Sequence, residues 1–299
     1  MLYDVAAEIS YAYDAPAVSG RTLLRLMPAS LPGEQRLIAG RLTAEPVPAE
    51  REESRDFFGN TVTAFAFRSA SHEKVFRLQA RVERLAEAPR LDLSPPLARL
   101  AEEIAEVASL APDAPHHFLP PSPRLHPHPA FAAFARETMA PAMTALAAVQ
   151  AIGARLHAEM RFDAEATTVE TDPAEAFAAR HGVCQDFSHI LIGCLRTLGI
   201  PAGYVSGYLR TLPPPGAERL AGADAMHAWV RAWCGVEGGW VEYDPTNDLM
   251  VGTDHLRVAV GRDYDDAAPL HGVHRSAGAQ QSLQRVDVVP LPEADAARR

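Results

Sequence analysis

At 299 residues, with 47% hydrophobic and 22% charged side chains, the chain has the composition of a soluble globular protein and the length for two domains. A formal net charge of −10 and a pI near 5.6, with no basic stripe, argue against nucleic acid or an anionic membrane as the main partner. Three cysteines without CxxC spacing fit a reducing compartment; with no basic-then-apolar start and no apolar run of membrane length, a cytoplasmic protein is expected.

Residues 1–88 read as a β-rich N-terminal domain. Short apolar segments such as 62–67 and 75–82 are punctuated by Gly, Pro and Asn, and Gly59-Asn60 is a turn signal before a strand at Thr61. An antiparallel, sandwich-like arrangement is expected. Residues 89–128 read as a linker: an amphipathic helix over about 96–110, then His116-His117-Phe118-Leu119-Pro120-Pro121-Ser122-Pro123 and His126-Pro127-His128, where proline density predicts no regular structure. No cysteine or carboxylate stands at ligand spacing from these histidines, so a surface linker is preferred to a metal site.

A core domain is expected over 129–270, and a C-terminal strand and tail over 271–299. Helices are predicted over 130–138 and 144–160, the second carrying Leu146, Val149, Ile152, Leu156 and Met160 on one stripe. Asp172-Pro173 opens a short helix over 174–180. Phe187, Ile190, Leu191, Cys194, Leu195 and Leu198 then recur at helical spacing before Gly199 and Pro201, so a helix begins at or beside Cys184. A thiol in a first turn faces unpaired N–H groups and the positive end of the helix dipole, which favours the thiolate and makes Cys184 a candidate nucleophile. Cys194, on the apolar helix face, reads as a small core residue. A strand over 202–209 leads to a loop over 212–224, either a cleft cover or an ordinary surface connection. Further strands are predicted at 255–260 and 286–289, with a tail after Pro292.

A thiolate nucleophile needs a proton carrier, and the carrier needs a group that holds its ring. Alternation places His227, Trp229, Arg231 and Trp233 on one strand face, and Trp240, Glu242 and Asp244 on another. A hairpin turning at Gly235 and Val236 would pair Arg231 with Trp240, Trp229 with Glu242, and His227 with Asp244. A one-residue slip would send Asp244 to the opposite face. Two other histidines compete for proximity to Cys184: His189 lies five positions along the helix and points elsewhere, whereas His181 stays open.

The blocks Gly182-Val183-Cys184-Gln185-Asp186-Phe187, His227-Ala228-Trp229-Val230 and Tyr243-Asp244-Pro245-Thr246-Asn247 resemble, in order, the signature segments of bacterial transglutaminase-like proteins, a branch of the papain-like cysteine hydrolase superfamily. Tyr11-Ala12-Tyr13 through Leu24-Arg25-Leu26-Met27-Pro28, then Asp56-Phe57-Phe58-Gly59-Asn60, resemble the β domain that precedes that core, and Val260 through Asp266 the segment that follows it. The resemblance implies an α+β fold, with a cysteine-bearing helix packed on an antiparallel sheet. It also implies a Cys184, His227 and Asp244 triad acting on a peptide or protein amide through a thioester. No cofactor or metal is implied.

Hydrolysis is preferred to amine transfer as the outcome, because nothing in the chain marks an amine channel. A protein-glutamine acyltransferase and a non-catalytic binding protein on the same scaffold are the alternatives. A metal site from His181, Cys184 and His189 is disfavoured by diverging helical positions. The Cys184 N–H is the expected oxyanion donor, with Ala176-Phe177-Ala178-Ala179 standing where papain-type proteases carry a glutamine, so the second donor is unassigned. Trp229 and Tyr204 are candidates for the cleft wall.

Overall fold

The computed structural model describes residues 1–86, 91–211, 224–275 and 278–292. The N-terminal strands are β1 (Leu2–Leu24), β2 (Gln35–Glu45), β3 (Glu50–Arg55), β4 (Thr61–Phe67) and β5 (Ser71–Arg84). Strand β1 organises them because it is 23 residues long and serves two neighbourhoods. Its first half, to Ala12, pairs with β5, and Gly20–Leu24 pairs with β4. The β5 register shifts between Ala12 and Ala17, where Pro16 removes a ladder donor and the strand can bend. One antiparallel sheet therefore curls on itself, with Tyr3, Val5, Ala7 and Ile9 alternating inward against Phe65, Phe76 and Leu78.

The boundary expected at residue 88 lies outside the described residues. Helix α1 (Leu97–Glu106) ends earlier than predicted. The proline-rich stretch is not wholly irregular: Pro115–Phe118 forms one 3-10 turn, with a proline at its start where no N–H is needed. His116 and His117 are half-buried there, and His117 meets the Phe57 ring edge-on at 5.2 Å. His128 instead caps α2 (Pro129–Thr138), its Nδ1 accepting from Ala130 N–H at 3.3 Å.

Then come α3 (Ala145–Glu159), capped by Thr144, the short β6 (Arg161–Phe162), and α4 (Pro173–Ala179), capped by Asp172. Next follow β7 (His181–Gly182), α5 (Cys184–Thr197), β8 (Ala202–Leu209), β9 (Ala225–Trp233), a helical turn α6 (Gly235–Gly238), β10 (Trp240–Asp244), β11 (Leu249–Met250) and β12 (His255–Gly261). The antiparallel sheet runs β11-β10-β9-β8-β12. Helix α5 packs on β8 and β9 and is flanked by α2, α3 and α4, burying Phe187, Ile190, Leu191, Cys194 and Leu195 with Ala228, Val230 and Ala232. That is the helix-on-sheet arrangement expected from the sequence.

After α7 (Tyr264–Ala267) the chain returns to its beginning. Strands β13 (Leu270–Arg275) and β14 (Gln280–Leu291) pair antiparallel with the two halves of β1, completing a seven-stranded sheet. The tail after Pro292 and most of the 212–224 loop lie outside the described residues. Strand β12 is the edge of the core sheet, and N-terminal side chains occupy its backbone groups. Gln35 donates to Arg257 O at 2.8 Å and accepts from Arg257 N–H at 2.9 Å; Asn60 donates to Val260 O at 2.7 Å and accepts from Val260 N–H at 2.8 Å. Asp56 holds that turn by accepting from the N–H groups of Phe58 and Asn60. The Asp56–Asn60 turn thus closes an edge strand that would otherwise be open to pairing.

Candidate active site

Local chemistry starts α5 at Cys184. Val183 is extended, with φ −101° and ψ 177°, and its N–H donates to Asp186 Oδ2 at 2.8 Å. A carboxylate at the third helical position reaching back in this way fixes the helix start. The approach needs glycine at 182, since a Cβ there would lie 2.5 Å from Asp186 Oδ2. Cys184 is consequently the first helical residue, half-buried, whereas Cys194 and Cys234 are both 0% exposed. Burial pushes both of those thiols up to about 12.

Cys184 adjoins His227, acting on the ring through charge and a side-chain hydrogen bond. His227 Nε2 lies 2.7 Å from Asp244 Oδ2. A carboxylate only accepts, so the proton sits on Nε2 and Nδ1 is left for chemistry. Burial opposes charge on this ring, but the hydrogen bonds to Asp244 and Cys184 and the charges of both outweigh it, raising its pKa from 6.5 to about 10. Asp244 is 0% exposed; burial opposes its charge too, yet bonds from His227, His255 and Asn247 hold its carboxyl far below the usual range.

The predicted hairpin forms in a different register. Trp240 pairs with Trp233, Val241 with Ala232, Glu242 with Arg231, and Tyr243 with Val230. The turn takes in Gly235–Gly238 instead of closing at Gly235 and Val236; Cys234 N–H donates to Gly239 O at 2.8 Å, and Gly235 and Gly239 bracket it at φ +90° and +62°. Pairing moves by two positions, so Asp244 stays on the face of His227 and meets it diagonally.

His255 is the member that sequence reasoning missed. From the edge strand β12 its Nε2 donates to the same Asp244 Oδ2 at 3.1 Å, with Asn247 Nδ2 donating at 2.7 Å. The residue is 3% exposed, and its only advance signal is an isolated histidine opening a predicted strand. Among the described residues, His227, Asp244 and His255 are also the group whose ligand atoms lie close enough for a metal ion. Both imidazoles contact the carboxylate oxygen directly as donors, and a metal would need those same Nε2 atoms deprotonated.

The competing histidines are accounted for. His189 is 1% exposed, its Nε2 accepts from Tyr264 N–H at 3.1 Å, and burial beside Arg124 and Arg196 lowers its pKa to about 3. His181 acts on Asp186. Gln185 is turned to Val169 O at 3.3 Å. Trp229, expected as a cleft-wall candidate, is 0% exposed and donates its indole N–H to Glu242 at 2.8 Å, so burial leaves it no face for a substrate. It floors the site beneath His227 and His255, with ring centroids 6.2 and 5.2 Å away. Tyr204 is 3% exposed, packed on His189 and Tyr264, with Cys184 among the charges acting on its phenol.

Comparison with known proteins agrees with this layout. Residues 132–245 match the family model of the transglutaminase-like superfamily, and residues 3–83 that of the bacterial transglutaminase-like N-terminal region. The uncharacterized protein Rv2569c of Mycobacterium tuberculosis is 35% identical over 269 residues, covering 88% of this chain and 84% of that protein. The uncharacterized protein ML0607 of Mycobacterium leprae is 32% identical over 292 residues, covering 96% and 98%. The crystal structure of "a Putative Cysteine Protease from Cytophaga hutchinsonii" superposes with a TM-score of 0.76 at 21% identity, over 98% of this chain and 91% of that one, and shares the fold. No helix among the described residues is long and apolar enough to cross a membrane. The chain belongs to the transglutaminase-like superfamily, with the bacterial transglutaminase-like N-terminal region preceding its core.

Proposed function

We propose that this protein is a cysteine-dependent amide hydrolase acting on a peptide or protein, in a reducing compartment such as the cytoplasm. The observation that carries the reading is the contact of the half-buried Cys184, at the first position of α5, with an imidazole whose other nitrogen is held at 2.7 Å by a buried carboxylate. Cys184 Sγ attacks the amide carbonyl as a thiolate, its proton residing on His227. The tetrahedral oxyanion collapses with cleavage of the C–N bond, and His227 gives its proton to the departing amine. Water, deprotonated by His227, then attacks the thioester and releases the acid and the thiolate. Asp244 holds the ring in one tautomer throughout.

The N–H of a first helical residue has no acceptor within the helix, which suits that of Cys184 to the oxyanion. Tyr204 suits the place of a second donor. Among the described residues its hydroxyl makes no hydrogen bond, and burial, with Cys184 next in effect, raises its pKa well above the ordinary value, so it keeps its proton. The test is incubation with a peptide library, with and without excess primary amine, followed by mass spectrometry. Cleaved or deamidated peptides and a Cys184 acyl adduct are expected, lost in Cys184→Ala and slowed by about tenfold or more in Tyr204→Phe. Amine incorporation outpacing acid release would make the protein a transferase, and a full rate in Tyr204→Phe would remove that residue from the oxyanion site.

A further inference from the structure

Beyond the Cys184 site, the core sheet carries a buried cation that forms no ion pair among the described residues. Arg231 is 7% exposed, and its Nε is buried without a hydrogen-bond partner among the described residues. The guanidinium stacks on the Trp240 ring, 3.8 Å from its centroid, with Phe118 at 5.4 Å. Glu242 stands directly across in the strand register, but its two oxygens are taken by Trp229 N–H and by Arg257. Glu242, Asp113 and Glu34 all act on Arg231 at a distance, and none of them forms an ion pair with it. An arginine cannot shed its proton to escape this cost; even with burial and Arg257 lowering its pKa to about 10, it is charged at neutral pH.

The space beside it is the informative part. Arg231 lines a cavity of about 130 Å³ where the N-terminal domain meets β12. The lining includes Arg55, Arg257, Ser30, Asn60 and Thr61, and no carboxylate. Three arginines therefore line one small space. Arg55 is anchored by donating to Gly59 O at 2.6 Å, and Arg257 by its pair with Glu242. Anchored arginines next to an unpaired one form a preorganised donor set for an oxygen-rich anion, since planar guanidinium forks match such oxygens geometrically. The volume admits a few water molecules or one small oxoanion, not an extended polyanion.

We propose that this cavity is an anion site, which takes a phosphate-sized oxoanion on Arg231, Arg55 and Arg257. Calorimetric titration of the whole chain with sodium phosphate, at ionic strength held constant with sodium chloride, is the test. Saturable binding at a single site is expected, weakened by about tenfold or more in Arg231→Met, as for loss of a charge-assisted hydrogen bond. Arg55→Ala, at an exposed strand position, should weaken it as well. Phosphoserine titrated in parallel separates the sources: equal binding assigns a phosphomonoester, and binding of inorganic phosphate alone assigns the free ion. No saturable heat with either probe, or undiminished binding in Arg231→Met, would overturn the site.

Discussion

Two buried polar layers lie side by side on the same strands, and they differ in how their charged groups are partnered. In the layer of His227, Asp244 and His255, one carboxylate collects donors on both oxygens: Oδ2 from His227, His255 and Asn247, and Oδ1 from the N–H groups of Thr246 and Asn247. Farther along β9, β10 and β12, Glu242 takes Trp229 and Arg257, and Arg231 is left over. The carboxylate of the first layer has donors on both oxygens, which fixes the orientation of the His227 ring it accepts from. The second holds a guanidinium that forms no ion pair among the described residues, and the proposed anion site rests on that difference.

Breaking the first layer should have the largest effect. Asp244→Asn can keep the fold and the Cys184 thiol, but its amide can hold the His227 ring in the wrong tautomer, so turnover should fall by about 10³- to 10⁴-fold. Steady-state rates on the peptides identified above check this, and wild-type turnover would remove Asp244 from the mechanism. Breaking the second layer should act on stability. Arg257→Met strands Glu242 and should cost on the order of 3 kcal/mol in urea unfolding, whereas Arg231→Met removes an unpaired charge and should cost little or nothing without phosphate. Equal losses in the two variants would mean that Arg231 has a partner and that the contrast between the layers is wrong.

A smaller effect sharpens the contrast by pH. The pKa of His227 is raised in the fold from 6.5 to about 10, so its contribution to stability is complete below about 6.5 and fades as pH rises through 10. The stability difference between wild type and His227→Ala should therefore shrink across that window. Asp244 has the opposite sign: its lowered pKa gives a contribution present above the ordinary carboxylate range and lost as pH falls below it. A wild-type minus His227→Ala difference that stays flat between pH 6.5 and 10 would contradict the raised pKa.

Local chemistry made much of the site readable in the amino-acid sequence. Helical spacing after Cys184 placed the thiol at a helix start, and strand alternation put His227 and Asp244 on a common face. Both are properties of neighbours in the chain. Alternation has period two and specifies a face but not a partner, so the four-residue turn at Gly235–Gly238 could shift the pairing by two positions without harming the site. A tighter turn was an equally reasonable reading of glycines at 235, 238 and 239.

The rest depended on contacts between residues far apart in the chain. His255 reaches Asp244 only because β12 joins the sheet beside β8, and nothing in the periodicity of 255–261 announces a carboxylate across two intervening strands. Trp229 reads as a cleft aromatic until the N-terminal turn carrying Phe58 packs against its cluster. The apolar segment near 286–289 is a plain strand in the sequence, yet β14 lies along β1, with Leu2 opposite Leu291. Helix starts, strand faces and core stripes follow from the order of side chains along a few turns of backbone, which local sterics and burial decide. Strand partners, buried charge balance and the cavity beside Arg231 were decided only when tertiary packing chose which distant surfaces to exclude from water together.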